Sequence, residues 1–140
     1  MEVYFQSNDH QFELYQGDAT EVMSALCKKC DVVFADPPYF LSRNKSIKIN
    51  GEWKSFEKGE WDRVTDIDNI DRFNKKWLTV CRDVLKDSGT IWVSGTYHNI
   101  FSIGRTLQNL GYKILNIITW EKTNPPPNFS CRYLDRKSVV

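Results

Sequence analysis

Apolar and polar residues alternate along Phe12-Glu13-Leu14-Tyr15-Gln16, the period of a half-buried strand. Gly17-Asp18 then turns the chain into residues 19–26, where the apolar positions take helical spacing. Asp31-Val32-Val33-Phe34-Ala35 is short, β-branched and apolar on both faces, as a central parallel strand is, and Pro37-Pro38 ends it. Residues 41–65 are polar. Within them Ile47-Lys48-Ile49 and Trp53 to Phe56 flank Asn50-Gly51, a dipeptide favoured in tight hairpins, so a hairpin inserted in a long loop is predicted.

Helical spacing returns at Ile70, Phe73, Trp77, Val80, Val84 and Leu85, with Gly89 as a break before the strand Thr90 to Ser94. Ile100, Ile103, Leu107 and Leu110 predict a third helix closed by Gly111, and Tyr112 to Trp120 reads as a further strand. Asn124-Pro125-Pro126-Pro127-Asn128 is a stiff loop. Strands alternating with helices imply an α/β fold with a mainly parallel sheet, whose ligand sites lie at the carboxyl ends of its strands. The double proline stands at such an end. No repeat and no second domain are visible in the 140 residues.

Composition narrows the chemistry. No apolar run approaches the roughly 20 residues that cross a bilayer, and the polar N-terminus lacks the basic and apolar regions of a secretory signal, so a cytoplasmic protein with reduced thiols is expected. Cys27-Lys28-Lys29-Cys30 has metal-ligand spacing, and Cys81 and Cys131 would complete a four-sulfur zinc site. Without a second C-x-x-C pair that reading is disfavoured and no metal is expected. A formal charge of +1 excludes a polycation held to nucleic acid by charge alone. Lys45, Lys48, Lys54, Lys58 and Arg63 form either a local DNA contact or a solvated loop face.

Asp36-Pro37-Pro38-Tyr39 is the tetrapeptide with the most specific chemistry, and it suits methylation of an aromatic amine. The lone pair of an exocyclic amino nitrogen is delocalised into its ring. Two acceptors on the two N–H bonds free that pair to point at an electrophile. The ionised Asp36 carboxylate supplies one acceptor and the rigidly aimed carbonyl of Pro37 the other. A base inside a duplex has to be flipped out at a cost of a few kcal/mol. Stacking on Tyr39, worth roughly 1–3 kcal/mol per base, offsets that cost. Phe40 either closes the rim or packs inward. Asp18, also at a strand end, either touches a cofactor or caps the helix that follows. Trp61 and Asn124 border the base pocket or serve packing and turn formation. His98 fits a helix start better than a general base, because the amine needs no strong base before transfer.

These residues resemble a known family. Asp36-Pro37-Pro38-Tyr39-Phe40-Leu41-Ser42 is similar to catalytic motif IV of the β-class, permuted DNA adenine-N6 methyltransferases, including Dpn-type enzymes acting on GATC. Lys58-Gly59-Glu60-Trp61-Asp62, Gly89-Thr90-Ile91-Trp92, Ser94-Gly95, His98-Asn99-Ile100 and Thr119 to Pro125 follow in the order of that class. The resemblance covers about residues 12–133. It implies a Rossmann-like S-adenosylmethionine-dependent methyltransferase fold, incomplete here, with Asp36, Pro37, Pro38 and Tyr39 catalytic and Phe40, Trp61 and Asn124 at the substrate. Asp18 stays the candidate cofactor contact by its place at a strand end, and the resemblance implies as partners DNA, a homodimer at full length and a cognate restriction endonuclease in a bacterium or phage. The family's Phe-x-Gly-x-Gly cofactor loop is absent from this sequence, so the chain is expected to be the catalytic front half, itself inactive. Residues 134–140 are expected to be a non-native tail, since the last six are what a common sequencing adapter encodes. Cytosine-N4 methylation and a noncatalytic DNA-binding remnant are the alternatives; Asp rather than Ser at position 36 favours adenine within the family.

Overall fold

The computed structural model describes residues 2–26, 28–40 and 66–121 in full, and the backbone of 46–49, 52–55 and 136–139. Two short antiparallel strands, β1 (Phe5–Gln6) and β2 (Glu13–Leu14), open the chain. Of the alternating residues 12–16 only Glu13 and Leu14 are strand, with the Tyr4 amide donating to the Leu14 carbonyl at 2.8 Å and the Ser7 amide to the Phe12 carbonyl at 2.9 Å. The tight turn between them is held by Ser7, whose hydroxyl donates to Asp9 at 2.6 Å and accepts from the Phe12 amide at 2.9 Å.

Helix α1 (Ala19–Leu26) follows, then β3 (Cys30–Ala35), the hairpin β4 (Ser46–Ile49) and β5 (Glu52–Ser55), and helix α2 (Ile67–Val84). The two strands of the hairpin predicted around Asn50-Gly51 pair antiparallel, with Ile49 opposite Glu52; Asn50 and Gly51 themselves lie outside the described residues. Asp66 caps α2 by accepting from the Asn69 amide at 2.8 Å, which satisfies one of the unpaired donors of the first turn. Strand β6 (Leu85–Gly95), helix α3 (Ile100–Asn109), β7 (Ile118–Glu121) and β8 (Arg136–Val139) complete the order.

The main sheet runs β3-β6-β8-β7. β3 pairs with β6 in parallel, while β8 lies antiparallel to both β6 and β7, so β3, β6 and β7 share one direction. Gly89 does not end the preceding element as a simple break, since β6 already begins at Leu85. Its lack of a side chain serves a close approach: a Cβ there would meet Leu85 Cδ2 at 2.9 Å and the Asp31 carbonyl oxygen at 3.2 Å. This is where the β3–β6 register shifts.

Helices α2 and α3 cover one face of β3 and β6. Trp77, Leu78, Cys81, Val93, Ile103 and Leu107 form the buried centre, with Val33, Ala35 and Ile91 packed against it. The opposite face is different. Val32 is 57% and Phe34 71% exposed, with Trp92 beside them also open. β3 was expected as a central strand covered on both faces; it stands instead at the end of the sheet order, and no described element lies on its outer face. The strand expected over residues 112–120 is confined to Ile118–Glu121, which pairs with β8 from Ile118 opposite Val139 to Glu121 opposite Arg136. Tyr112 to Asn116 instead line a cavity of about 390 Å³ with Thr90, Ile91 and Trp92, at the amino-terminal end of β6. Gly111 closes α3 as predicted, at φ 80°, and the Tyr112 amide donates back to the Leu107 carbonyl at 3.0 Å. No helix among the described residues is long and apolar enough to cross a membrane.

Candidate active site

Parallel pairing of β3 with β6 brings two strand ends to the same edge. Ala35 lies opposite Val93, so the next residues, Asp36 and Ser94, stand side by side. The Ser94 hydroxyl and the Tyr39 hydroxyl both donate to Asp36 Oδ1, and the two hydroxyl oxygens lie 3.2 Å apart. Two hydroxyls on one carboxylate oxygen fix the plane of the carboxylate. Asp36 itself is exposed and Tyr39 half-buried, so the group is held firmly at a surface that a substrate can reach.

Pro37 and Pro38 carry no backbone N–H. The loop is therefore anchored through its carbonyls and flanking side chains. The Asn99 amide donates to the Pro38 carbonyl at 3.1 Å. Phe40, 6% exposed, packs inward with its ring edge-on to Phe73 of α2, the centroids 5.6 Å apart. Its backbone has φ 53°, the left-handed region that a bulky residue occupies only when its surroundings impose it. The sequence left open whether Phe40 closes the rim or packs inward; it packs inward.

Asp18 occupies the N-cap of α1. Its Oδ1 accepts from the Thr20 amide at 2.8 Å, the Glu21 amide at 3.2 Å and the Thr20 hydroxyl, while Oδ2 faces the Lys76 ammonium at 4.0 Å. The Thr20 hydroxyl, then the two amides, hold its carboxyl below the ordinary carboxylate range. His98 stacks tilted against Tyr97, ring centroids 4.0 Å apart, at the start of α3. Cys81 sits in the core, and Cys30 Sγ lies 3.5 Å from the Val84 carbonyl. Among the described residues no group of three potential metal ligands comes together. Cys27, Cys131, Trp61, Asn124 and the side chains of Lys45, Lys48, Lys54, Lys58 and Arg63 lie outside the described residues.

Sequence reasoning assigned no role to Ser94, Asn99 or Asn74. Ser94 was within reach of it: two parallel strands ending at the same edge place their next residues together, so the residue after Val93 belongs beside Asp36. The buried asparagines gave no such signal, because their partners come from elements far apart in sequence.

The surroundings of this site match known proteins. The family model described as DNA methylase matches residues 30–138. The type II methyltransferase M2.MboI of Moraxella bovis is 51% identical over 136 residues, covering 96% of this chain and 50% of its own length. M2.DpnII of Streptococcus pneumoniae is 44% identical over 127 residues, covering 90% and 47%. The chain thus spans about half the length of the curated relatives it matches. Among solved structures, the M1.HpyAVI–SAM complex superposes with a TM-score of 0.55 at 20% identity, covering 89% of this chain and 50% of that one, a likeness of fold. The family match runs from the first residue of β3 into β8 and takes in the whole Asp36–Ser94 cluster and its supports, so the chain belongs to the DNA methylase family.

Proposed function

We propose that this chain carries the catalytic half of a DNA methyltransferase that acts on the N6 amine of a flipped-out adenine. The observation that carries the reading is the Asp36 carboxylate, held by Ser94 and Tyr39 at the end of β3, with a diproline loop directly after it. Asp36 accepts one amine N–H and the Pro37 carbonyl the other, which turns the nitrogen lone pair out of the ring plane. Tyr39, its hydroxyl tied to Asp36, offers its ring face to the base, and Phe40 supports the loop from beneath. Pro38 fixes the turn between them. The surplus proton on the methylated nitrogen passes to Asp36 or to water.

S-adenosylmethionine, when bound, supplies an electrophilic methyl group. Two features of the described residues fit such a ligand. Asp18 has one oxygen committed to its cap and the other facing an ammonium at 4.0 Å, an arrangement that suits a ligand amine. The buried hydroxyl of Thr96, just past Ser94, has no hydrogen-bond partner among the described residues. Trp61 and Asn124 belong at the base pocket on this reading. A methyltransferase of this kind works on DNA in the bacterial cytoplasm, as a homodimer at full length and beside a cognate restriction endonuclease; the relatives, bacterial proteins named type II methyltransferases, support the bacterial DNA-modification part of that reading.

The test joins this segment to the remaining half of the Moraxella bovis relative and follows tritiated methyl groups into duplex DNA. Label in N6-methyladenine is expected. Asp36→Ala should lower kcat by about 10²–10³-fold or more, the scale for removing one aimed polar group from a transition state, with DNA binding retained. Undiminished transfer by Asp36→Ala would sink the assignment, and label in cytosine would move the substrate to the N4 amine.

A further inference from the structure

Beneath the diproline loop lies a chain of buried amides. The Trp77 indole Nε1 donates to Asn74 Oδ1 at 3.2 Å; Asn74 Nδ2 donates to Asn99 Oδ1 at 2.6 Å and to the Ser102 hydroxyl at 2.9 Å; Asn99 Nδ2 donates to the Pro38 carbonyl at 3.1 Å. Ser102 in turn donates to Asp71. Asn74 is fully buried and Asn99 1% exposed.

The direction of this chain is set by its first member. An amide can be turned end for end, exchanging donor and acceptor, but an indole N–H only donates. Trp77 therefore fixes Asn74 with its oxygen toward the indole and its nitrogen toward Asn99. That nitrogen requires an oxygen on Asn99, which leaves the Asn99 nitrogen facing the loop. The Pro38 carbonyl only accepts. Each link determines the next, and reversing any one sets two donors or two acceptors against each other in a buried site.

We propose that Asn99, oriented through Asn74 by Trp77, is a positioning residue for the transfer proposed above. The inference rests on that reading and adds how the second acceptor is aimed. Pro37 lies between two fixed points: the Asp36 side chain, held by Ser94 and Tyr39, and the Pro38 carbonyl, held by Asn99. With both ends pinned and no N–H in between to make competing bonds, the Pro37 carbonyl has one direction. The same anchor helps hold Phe40 in its left-handed conformation, which a freed loop would relax.

The experiment compares Asn99→Asp and Trp77→Phe with the unmodified fusion, measuring kcat, KM for DNA and the thermal midpoint of each. Asn99→Asp keeps the shape and the acceptor for Asn74 but sets an oxygen against the Pro38 carbonyl. Trp77→Phe keeps an aromatic ring and removes the N–H that sets the direction. Leu107→Ala, a core change off the relay, serves as the control for lost stability alone. Asn99→Asp is expected to lower kcat at least tenfold with KM for DNA within about twofold of the parent, and Trp77→Phe to lower kcat by a smaller factor. Leu107→Ala should lower the midpoint and leave kcat, measured well below it, within about twofold. Midpoints that fall while kcat holds in both relay variants would overturn the inference, as would failure of both to fold where Leu107→Ala folds. A parent fusion that transfers no methyl group would instead overturn the function itself.

Discussion

The carboxylate of Asp36 and the thiol of Cys81 show how environment divides residues of this chain into reachable and enclosed ones. Asp36 is exposed and held by two hydroxyls. Cys81 is enclosed by the core, and burial pushes its thiol up to about 11, which keeps it protonated at neutral pH. Alkylation with iodoacetamide at pH 8, read by mass spectrometry, should therefore spare Cys81 in the folded chain and modify it once denaturant is added. Equal labelling in both states would contradict the packing described. The same contrast marks what the sequence could tell. The tetrapeptide Asp36 to Tyr39 stood out in the sequence because its residue types suit the proposed reaction, and the structure brings Asp36 and Tyr39 together. Asn74 was not, since a lone asparagine at helical spacing looks like a solvated position and its buried partners, Asn99 and Ser102, arrive only with the fold.

At the scale of elements, periodicity located the three helices of the described residues and the paired strands of the hairpin, because local spacing decides which face of a helix is apolar and Asn-Gly is a strong turn signal. It overreached for strands. Residues 12–16 and 112–120 have the pattern of strands, yet only Glu13–Leu14 and Ile118–Glu121 find paired neighbours, and pairing is set by distant residues that periodicity does not see. Helix ends follow local chemistry more closely. Asp66→Ala removes the cap of α2 and should cost about 1 kcal/mol of stability in a denaturant titration. Asp18 caps α1 in the same way, and its carboxyl lies below the ordinary 3.8. A depressed value means that the cap's contribution is complete above that ordinary value and fades as pH falls through the lowered one. Circular dichroism of an acid titration should show Asp18→Asn losing this component of the pH dependence; an unchanged acid limb would remove Asp18 from the cap.

For the molecule as a whole, the unequal covering of the sheet among the described residues is the dominant fact. One face carries α2 and α3 and the site at its edge; the other exposes Val32, Phe34 and Trp92, an apolar surface of the kind that binds partners or aggregates. The 140-residue chain is expected to bind a hydrophobic dye strongly. Val32→Thr with Phe34→Thr should cut that signal while shifting stability by no more than about 0.5 kcal/mol, as surface changes do. A dye signal untouched by the pair would place the exposed apolar surface elsewhere. This asymmetry also separates two kinds of evolutionary constraint. Ala35 and Val93 must suit the helices that support the site, whereas their neighbours Phe34 and Trp92, pointing the other way, answer only to whatever rests on the bare face. Substitutions in related genes should therefore co-vary in two groups that interleave residue by residue along each strand, so that what covers the sheet can be exchanged between lineages while the chemistry beside it stays the same.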